Sequence, residues 1–328
     1  MSEKNPQSMT EAERIKYIDG QEKGVSNSYN IAGKNEKLDQ TQVPLEILRF
    51  RVDNGRWLLD LEEISKNNDT TVKQYEKHSE NKEIQEILYD LAIKYANLKS
   101  GSKSILEELK DSPGQTEPLI IFHNGVVFNG NRRLAAMKKL KEEMNPSKFQ
   151  FNSVEVNILP QNIDKTSLDM FESSLQRKIS LPLEFSWIDT AFAAYKYSKD
   201  KKKENEIINL LSLKKSKESV NNEIKKYDKA REFLKWISDR REDITENDWT
   251  WFKKQNFKQV FETACGDGGK AGTLIYEGAD MQMSTLVFFN ILENTALEQD
   301  NPNRIIDSAH DYMMQHKGII DDLKKNNI

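Results

Sequence analysis

The sequence predicts an α+β fold for residues 41–160 and an all-helical fold from about residue 165 onward. Before residue 160, short apolar runs bounded by turn residues, which indicate strands, alternate with segments of helical spacing. Beyond residue 165 only helical patterns occur, so strands and helices are segregated along the chain. The length of 328 residues is enough for two domains or more.

The composition describes a polar and highly charged chain. Charged residues make up 31% and apolar residues 37%, against about 25% and 45–50% in average soluble chains. The absence of an 18-residue apolar run excludes a membrane helix, and the N-terminal segment lacks the apolar centre of a secretory signal. The single Cys265 excludes a disulfide framework, so we expect a cytoplasmic protein. The four histidines lack metal-ligand spacing, and we expect no metal site.

The first elements can be read in order. Residues 1–40 are rich in Ser, Asn, Gln, Lys and Glu without periodicity, and we expect a mobile or loosely packed polar arm. VPLEILRF (43–50) predicts a short strand, with LLDLEEIS (58–65) as its continuation. Apolar residues at helical spacing predict a helix over residues 72–98 and a second helix around residues 105–109.

The clearest local pattern is PLIIFHNGVVFNGNRRLAAMKKL, residues 118–140. Asn-Gly between two apolar runs predicts a β-hairpin, and a helix follows at once. Gly130 permits a positive φ, and the unpaired N–H groups of the new helix lie at the positive end of its dipole. Arg132 and Arg133 add two bidentate donors. The pattern indicates a phosphate-binding corner; the alternative is a strand–helix turn with two solvated arginines.

Residues 130–136 resemble the Gly-x-x-Arg-x-x-Ala box of the ParB/sulfiredoxin-like superfamily. VPLEILRFRVDNGRW (43–57) is similar to the opening segment of that family. SSLQR (173–177), followed by LPLE (181–184), is similar to the Glu-Asn-Leu-Gln-Arg box and the next helix start of ParB proteins. The resemblance covers roughly residues 41–235, and it implies a ParB/sulfiredoxin-like domain followed by a helix-turn-helix.

The resemblance implies a nucleotide ligand, CTP or ATP, with or without Mg²⁺. The implied nucleotide-binding residues are Gly130, Asn131, Arg132, Arg133, Gln176 and Arg177. Asn131 stands where sulfiredoxin requires a catalytic cysteine, which excludes that chemistry, and where the usual ParB box has Glu. Ser173-Ser174 replaces Glu-Asn, so phosphate binding is better supported than hydrolysis unless Glu172 supplies the missing carboxylate.

The resemblance, together with the changes in composition and periodicity along the chain, divides the sequence into four regions. We expect a polar arm (1–40), a nucleotide-binding domain (41–180) with a helical insertion at about 66–104, a helix-turn-helix region (181–241) and a helical C-terminal region (242–328).

Residues 204–234 predict two short helices joined by about four residues, which is a helix-turn-helix pattern. From Lys199 to Arg241 there are 14 basic and 8 acidic residues, a net charge of +6, against −4 for the whole chain. The second helix is expected to expose DNA-contacting residues, namely Lys217, Ser219, Asn221, Asn222, Lys225 and Lys226. The alternative is an ordinary helical hairpin with a solvated lysine-rich face, since the turn lacks the usual glycine.

Three functions remain open from the sequence. The preferred one is a nucleotide-sensing protein that binds double-stranded DNA, associates with the nucleoid and, by the family resemblance, forms a homodimer. The second is an enzyme, a phosphotransferase, NTPase or nuclease, in which Arg132 and Arg133 clamp a phosphoryl group and Glu172 or Glu184 acts as metal ligand or base. The third is a non-catalytic component of a phage or mobile-element system.

Overall fold

The chain divides into two units, Met1–Glu184 and Phe185–Ile328. The computed structural model describes residues 9–31, 33–100, 103–112, 114–145, 149–178, 186–213, 216–255, 257–265, 288–290 and 292–293. The first unit mixes strands and helices, and the described part of the second contains helices only. This arrangement confirms the α+β class.

A five-stranded mixed sheet forms the centre of the first unit. The strands of this unit are β1 (Gly24–Ile31), β2 (Lys34–Pro44), β3 (Lys99–Ser100), β4 (Lys103–Ser104), β5 (Leu119–Ile121), β6 (Val127–Asn129) and β7 (Ser153–Ile158). The order in the large sheet is β1-β2-β7-β5-β6, and β3 and β4 pair separately. Only β5 and β7 run parallel; the other neighbours in the large sheet are antiparallel.

The helices of the first unit cover the sheet, and several of them lie between β2 and β5 along the chain. They are α1 (Glu11–Asp19), α2 (Leu58–Asn67), α3 (Val72–Lys77), α4 (Lys82–Ala96), α5 (Ile105–Asp111), α6 (Asn131–Glu143) and α7 (Lys165–Lys178). A single 3-10 turn at Leu45–Ile47 follows β2. Residues 72–98 are helical as expected, but α3 and α4 are separate helices, and a capping box at Thr71 starts α3.

The expected polar arm over residues 1–40 is wrong wherever the structure describes it. Residues 11–44 form α1, β1 and β2, and β2 lies between β1 and β7. Its buried residues, Leu38, Thr41 and Val43, are separated by exposed polar ones, which hides the strand in the sequence. Backbone hydrogen bonds on both sides hold the strand, and these do not depend on the side chains.

The segment LLDLEEIS (58–65) is helix α2 rather than the continuation of a strand. Trp57, Leu58 and Leu61 are buried, a spacing that places one helical face on the core. On one face of the sheet, the core includes the fully buried Leu88 and Leu134. A smaller cluster contains Phe128 stacked on Phe171 of α7 at 5.8 Å between ring centroids.

The second unit is held together by aromatic side chains. Its described helices are α8 (Trp187–Lys199), α9 (Glu204–Leu211), α10 (Lys217–Ser238), α11 (Trp249–Lys254) and α12 (Lys258–Cys265). Phe233 of α10 contacts Trp251 and Phe252 of α11. Helix α11, from the expected C-terminal region, thus shares one core with α10 of the expected helix-turn-helix region. None of the described helices has the length and apolar character needed to cross a membrane.

The expected helix pair is present as α9 and α10, joined by residues 212–216. Ser212 adopts a left-handed conformation with φ of 54°, at a turn where glycine is more usual. Ile207 and Val220 are buried in a shared apolar cluster. The second helix is 22 residues long rather than short, because its apolar stripe continues to the aromatic core.

Candidate anion-binding site

A cavity of about 230 Å³ lies in the first unit beside the start of α6. Its walls come from segments that are far apart in the sequence. They are Asn54 and Arg56 before α2, Ile105, Glu108 and Leu109 of α5, Thr116 and Glu117 before β5, Phe128 to Arg133 at the hairpin end, and Glu172 of α7.

Gly130 shapes the cavity at the point where β6 ends and α6 begins. Its φ is 102°, which L side chains rarely adopt. A Cβ atom built on it would lie 2.5 Å from Cδ2 of Leu119, so glycine is required for both reasons. The first N–H groups of α6 start here and lack partners within the helix, which adds a partial positive charge beside the cavity wall.

Arg132 is a buried cation, and no carboxylate of the described residues forms an ion pair with it. The residue is 8% exposed, and its Nη1 atom has no hydrogen-bond partner among the described residues. Burial, with smaller contributions from Arg56 and Arg133, lowers the pKa of Arg132 to about 9. The guanidinium group is therefore still protonated at neutral pH, and an anion in the cavity would stabilise it.

Arg133 also lines the cavity, but its charge is already engaged. Nη1 lies 3.1 Å from Oε2 of Glu117 and donates to the backbone oxygen of the same residue at 2.9 Å. Burial lowers the pKa of Arg133, and Glu117 opposes that shift. From the sequence we expect two equivalent donors, Arg132 and Arg133, at the start of α6. The structure brings both arginines together, but leaves only Arg132 without a carboxylate in the described part of the chain.

The side chain of Asn131 forms hydrogen bonds with two backbone segments. Its Oδ1 accepts from the N–H of Arg51 at 3.3 Å, and its Nδ2 donates to the carbonyl oxygen of Val127 at 2.9 Å. The side chain is buried. Each polar atom therefore has a partner that helps to fix the loop before α2 to the hairpin, and Asn131, which lines the cavity, stays a predicted nucleotide-binding residue.

Of the two expected catalytic candidates, Glu172 lies within the described residues, and it lines the cavity. Its two carboxylate oxygens are 2.6 and 2.7 Å from Nη2 of Arg51, while Nε of Arg51 lies 3.1 Å from Asp53. Burial raises the pKa of Glu172, and Arg51 opposes that shift. The carboxylate is thus occupied by a partner and is poorly placed as a base or metal ligand.

Three further expected residues of this site lie partly or wholly outside the described residues. Gln176 and Arg177 belong to α7, but their side chains lie outside the described residues, as does Glu184 altogether. Within the described ranges, no group of three or more His, Cys, Asp or Glu side chains could hold a metal ion.

Sequence reasoning missed several wall residues, most notably Arg56, Glu108 and Glu117. Arg56 carried a signal, because it ends the Asp-Asn-Gly-Arg run of the segment similar to the opening of the ParB family. Glu108 and Glu117 carried none. They belong to an ordinary acidic helix and to a loop, and only the fold brings them to the start of α6.

The DNA-contacting residues expected on α10 differ in their exposure and in their hydrogen-bond and ion-pair partners. Asn221 and Lys225 are exposed and Asn222 is half-buried. The exposed position expected for Lys226 is wrong: it is 8% exposed, and its Nζ lies 2.7 Å from Oε1 of Glu223. Ser219 donates its N–H to the Ser216 side chain at the helix N-cap. The side chain of Lys217 lies outside the described residues.

A second cavity of about 590 Å³ lies between α4 and α6 in the first unit. Its wall mixes both signs of charge, and Lys141 pairs there with Glu46. Lys138 donates to the carbonyl oxygen of Leu48 at 3.2 Å, and its Nζ lies 5.3 Å from the centre of the Phe50 ring. Burial lowers the pKa of Lys138 to about 8.

At Arg132 a buried guanidinium group lies beside a glycine-started helix, an arrangement typical of anion-binding sites. Comparison with family models, curated proteins and solved structures found no significant match to this chain. The resemblance to ParB-like proteins therefore depends on the residues of its three sequence boxes.

Proposed function

We propose that the first unit is a ParB-like domain that binds the phosphate of a nucleotide in the Arg132 cavity, and that α9 and α10 contact duplex DNA. The observation that carries the proposal is Arg132, a residue of the cavity wall whose buried Nη1 has no partner among the described residues. Burying an unpaired charge is costly, and an entering phosphate would supply the missing partner.

Two further features support a phosphate as the ligand. Arg56 adds a second guanidinium group to the same wall, close enough to lower the pKa of Arg132. The start of α6 adds the partial positive charge of a helix N-terminus. Planar guanidinium groups match the oxygen geometry of phosphate, and such charge-assisted hydrogen bonds are roughly twice as strong as neutral ones.

The DNA-binding half of the proposal rests on the surface of α10. Asn221 and Lys225 are exposed one helical turn apart and could reach a base edge and a phosphate. Lys226 and Lys229 are ion-paired with glutamates of the same helix at 2.7 and 2.6 Å. Fewer lysines are therefore available to DNA phosphates than the net charge of the segment suggests.

The ligand half is tested by calorimetric titration with CTP, ATP, GTP and the corresponding mono- and diphosphates, with and without Mg²⁺. We expect Arg132→Ala to weaken binding about 10- to 100-fold, as for loss of hydrogen bonds to a charged group. Lys139→Ala, on the same helix but paired with Glu143, is the matched control and should change affinity less than twofold. Wild-type protein that binds none of these compounds would overturn this half.

The DNA half is tested by fluorescence anisotropy with a labelled duplex at several salt concentrations. We expect affinity to fall with salt, and Lys225→Ala to weaken binding and reduce the slope by about one counter-ion. Lys235→Ala, which removes an exposed lysine from the last turn of the same helix, is the control. Equal effects of the two substitutions, or binding that does not respond to salt, would contradict the assignment.

The enzymatic alternative has less support, because Glu172 is bound by Arg51. The alternative of a non-catalytic adaptor would be favoured if neither nucleotides nor DNA bound.

A further inference from the structure

We infer that the Arg132 cavity selects a single phosphate monoester group, such as that of a nucleoside monophosphate, over a diphosphate or triphosphate chain. This inference rests on the proposed function, because it names the class of ligand for the same cavity. It depends on three features of the wall: its size, its balance of charges and the engagement of its carboxylates.

The size of the cavity limits what can enter. Its volume is about 230 Å³, whereas pockets for cofactors and drug-sized ligands usually have about 300–1,000 Å³. The cavity can therefore enclose one phosphate group with part of the attached sugar. A chain of three phosphates would have to leave its outer groups against the rim.

The charges of the wall do not favour a longer phosphate chain. Three arginines line the cavity, Arg56, Arg132 and Arg133, together with three glutamates, Glu108, Glu117 and Glu172. Among the described wall residues the charges therefore balance, with no excess positive charge to meet that of a triphosphate. Charges of like sign repel, so each added phosphate near a glutamate is penalised.

A single monoester matches this wall better. It carries a charge of about −1.5 to −2 at pH 7, and it can approach Arg132 at the wall that also contains Arg56. Oε2 of Glu117 lies 3.1 Å from Nη1 of Arg133, and Oε1 of Glu172 lies 2.6 Å from Nη2 of Arg51. Two of the three wall carboxylates are therefore held by arginines, and we expect Mg²⁺ not to reverse the preference for a monophosphate.

The test is a calorimetric comparison of CMP, CDP and CTP, and of the adenine series, each with and without Mg²⁺, on the full chain. We expect the monophosphates to bind at least about tenfold more tightly than the triphosphates. Tighter binding of a triphosphate would overturn the inference while leaving the proposed function intact. Absence of all binding would instead remove the proposed function on which the inference rests.

The source of the monoester is distinguished by a second pair of ligands. A dinucleotide with a 5′-phosphate is compared with the same dinucleotide lacking that phosphate. Tighter binding of the phosphorylated form than of CMP or AMP would support monoester recognition and identify a nucleic acid end as the source. Equal binding of both dinucleotides, together with weak binding of the monophosphates, would count against recognition of a phosphate monoester.

The role of the wall glutamates is tested separately. Glu117→Gln and Glu108→Gln should each raise triphosphate affinity at least about fivefold and change monophosphate affinity less, because a repelling charge is removed. Glu86→Gln, at an exposed site on α4, is the control and should change neither. If Glu117→Gln disturbs the fold through Arg133, Glu108→Gln alone decides; an equal effect of Glu86→Gln would overturn the charge argument.

Discussion

Helices α6 and α10 both carry several positive charges, but the two helices use them differently. On α6, Arg132 lines a cavity and its Nη1 has no partner within the described residues. On α10, Lys226 and Lys229 are each paired with a glutamate three residues away. The density of charge along a sequence therefore does not measure the charge that a ligand can reach. The difference arises because α10 supplies its own carboxylates at helical spacing, whereas residues 131–136 contain none.

The largest effect is expected from a substitution at the start of α6, which should remove both stability and ligand binding. Gly130→Ala places a Cβ 2.5 Å from Leu119 and forces alanine into a φ of 102°. We expect a loss of about 2–4 kcal/mol in the free energy of unfolding, with loss of ligand binding. Chemical denaturation measures it. Gly114→Ala, where nothing lies within 4 Å of the added atom, should change stability by less than about 0.5 kcal/mol.

The pH dependence of ligand binding tests whether the charge of Arg132 is the one that the ligand contacts. A phosphate monoester loses its second negative charge below about pH 6, and Arg132, whose pKa is lowered to about 9, loses its positive charge above that value. We expect monophosphate affinity to be greatest near pH 7.5 and to fall about tenfold toward pH 5 and toward pH 10. Calorimetry at several pH values measures this, with circular dichroism to verify the fold. A constant affinity from pH 7.5 to 10 would show that Arg132 does not carry the interaction.

A smaller effect is expected on α10. Lys226→Ala leaves Glu223 without its partner in a largely buried position, and we expect a loss of about 1 kcal/mol in stability. Lys225→Ala, at the neighbouring exposed position, should lower thermal stability less than Lys226→Ala and should weaken DNA binding more. The opposite result, with Lys225 stabilising the fold and Lys226 only binding DNA, would contradict the pairing on this helix.

The smallest effect concerns Lys138, farther along α6. Burial lowers the pKa of Lys138 to about 8, so its charged form is disfavoured in the folded protein. The cost is present below about pH 8 and disappears as the pH rises above its ordinary value near 10.4. Lys138→Met should therefore raise the melting temperature by about 1–2 °C at pH 7 and by less at pH 10. A larger gain at pH 10 than at pH 7 would be the wrong sign.

The elements that could be predicted from the sequence are those fixed by local chemistry. The Asn-Gly turn gives a hairpin with Gly125 at φ of 83°, and Gly130 starts α6 next to it. The apolar residues at helical spacing on α6, Leu134, Met137 and Leu140 among them, are buried. In these cases the residues that determine the structure lie within a few positions of one another.

The elements that could not be predicted depend on distant partners. Arg14 looked like a solvated residue of a polar arm, but it is completely buried, donates to the carbonyl oxygen of Asn124 and pairs with Glu80. Glu117 neutralises Arg133, and Glu223 neutralises Lys226, and neither pairing follows from the composition of the surrounding segment. Whether a charge is free for a ligand is decided by tertiary contacts of this kind.

The outer strands of the large sheet bear on how the protein behaves at high concentration. β6 is only three residues long, and β1 contains an irregularity in its pairing with β2 between Val25 and Ser28. Short or kinked border strands offer a poor template for a strand from another molecule. The first unit should accordingly resist edge-to-edge aggregation, even though Val25 exposes an apolar side chain on that border.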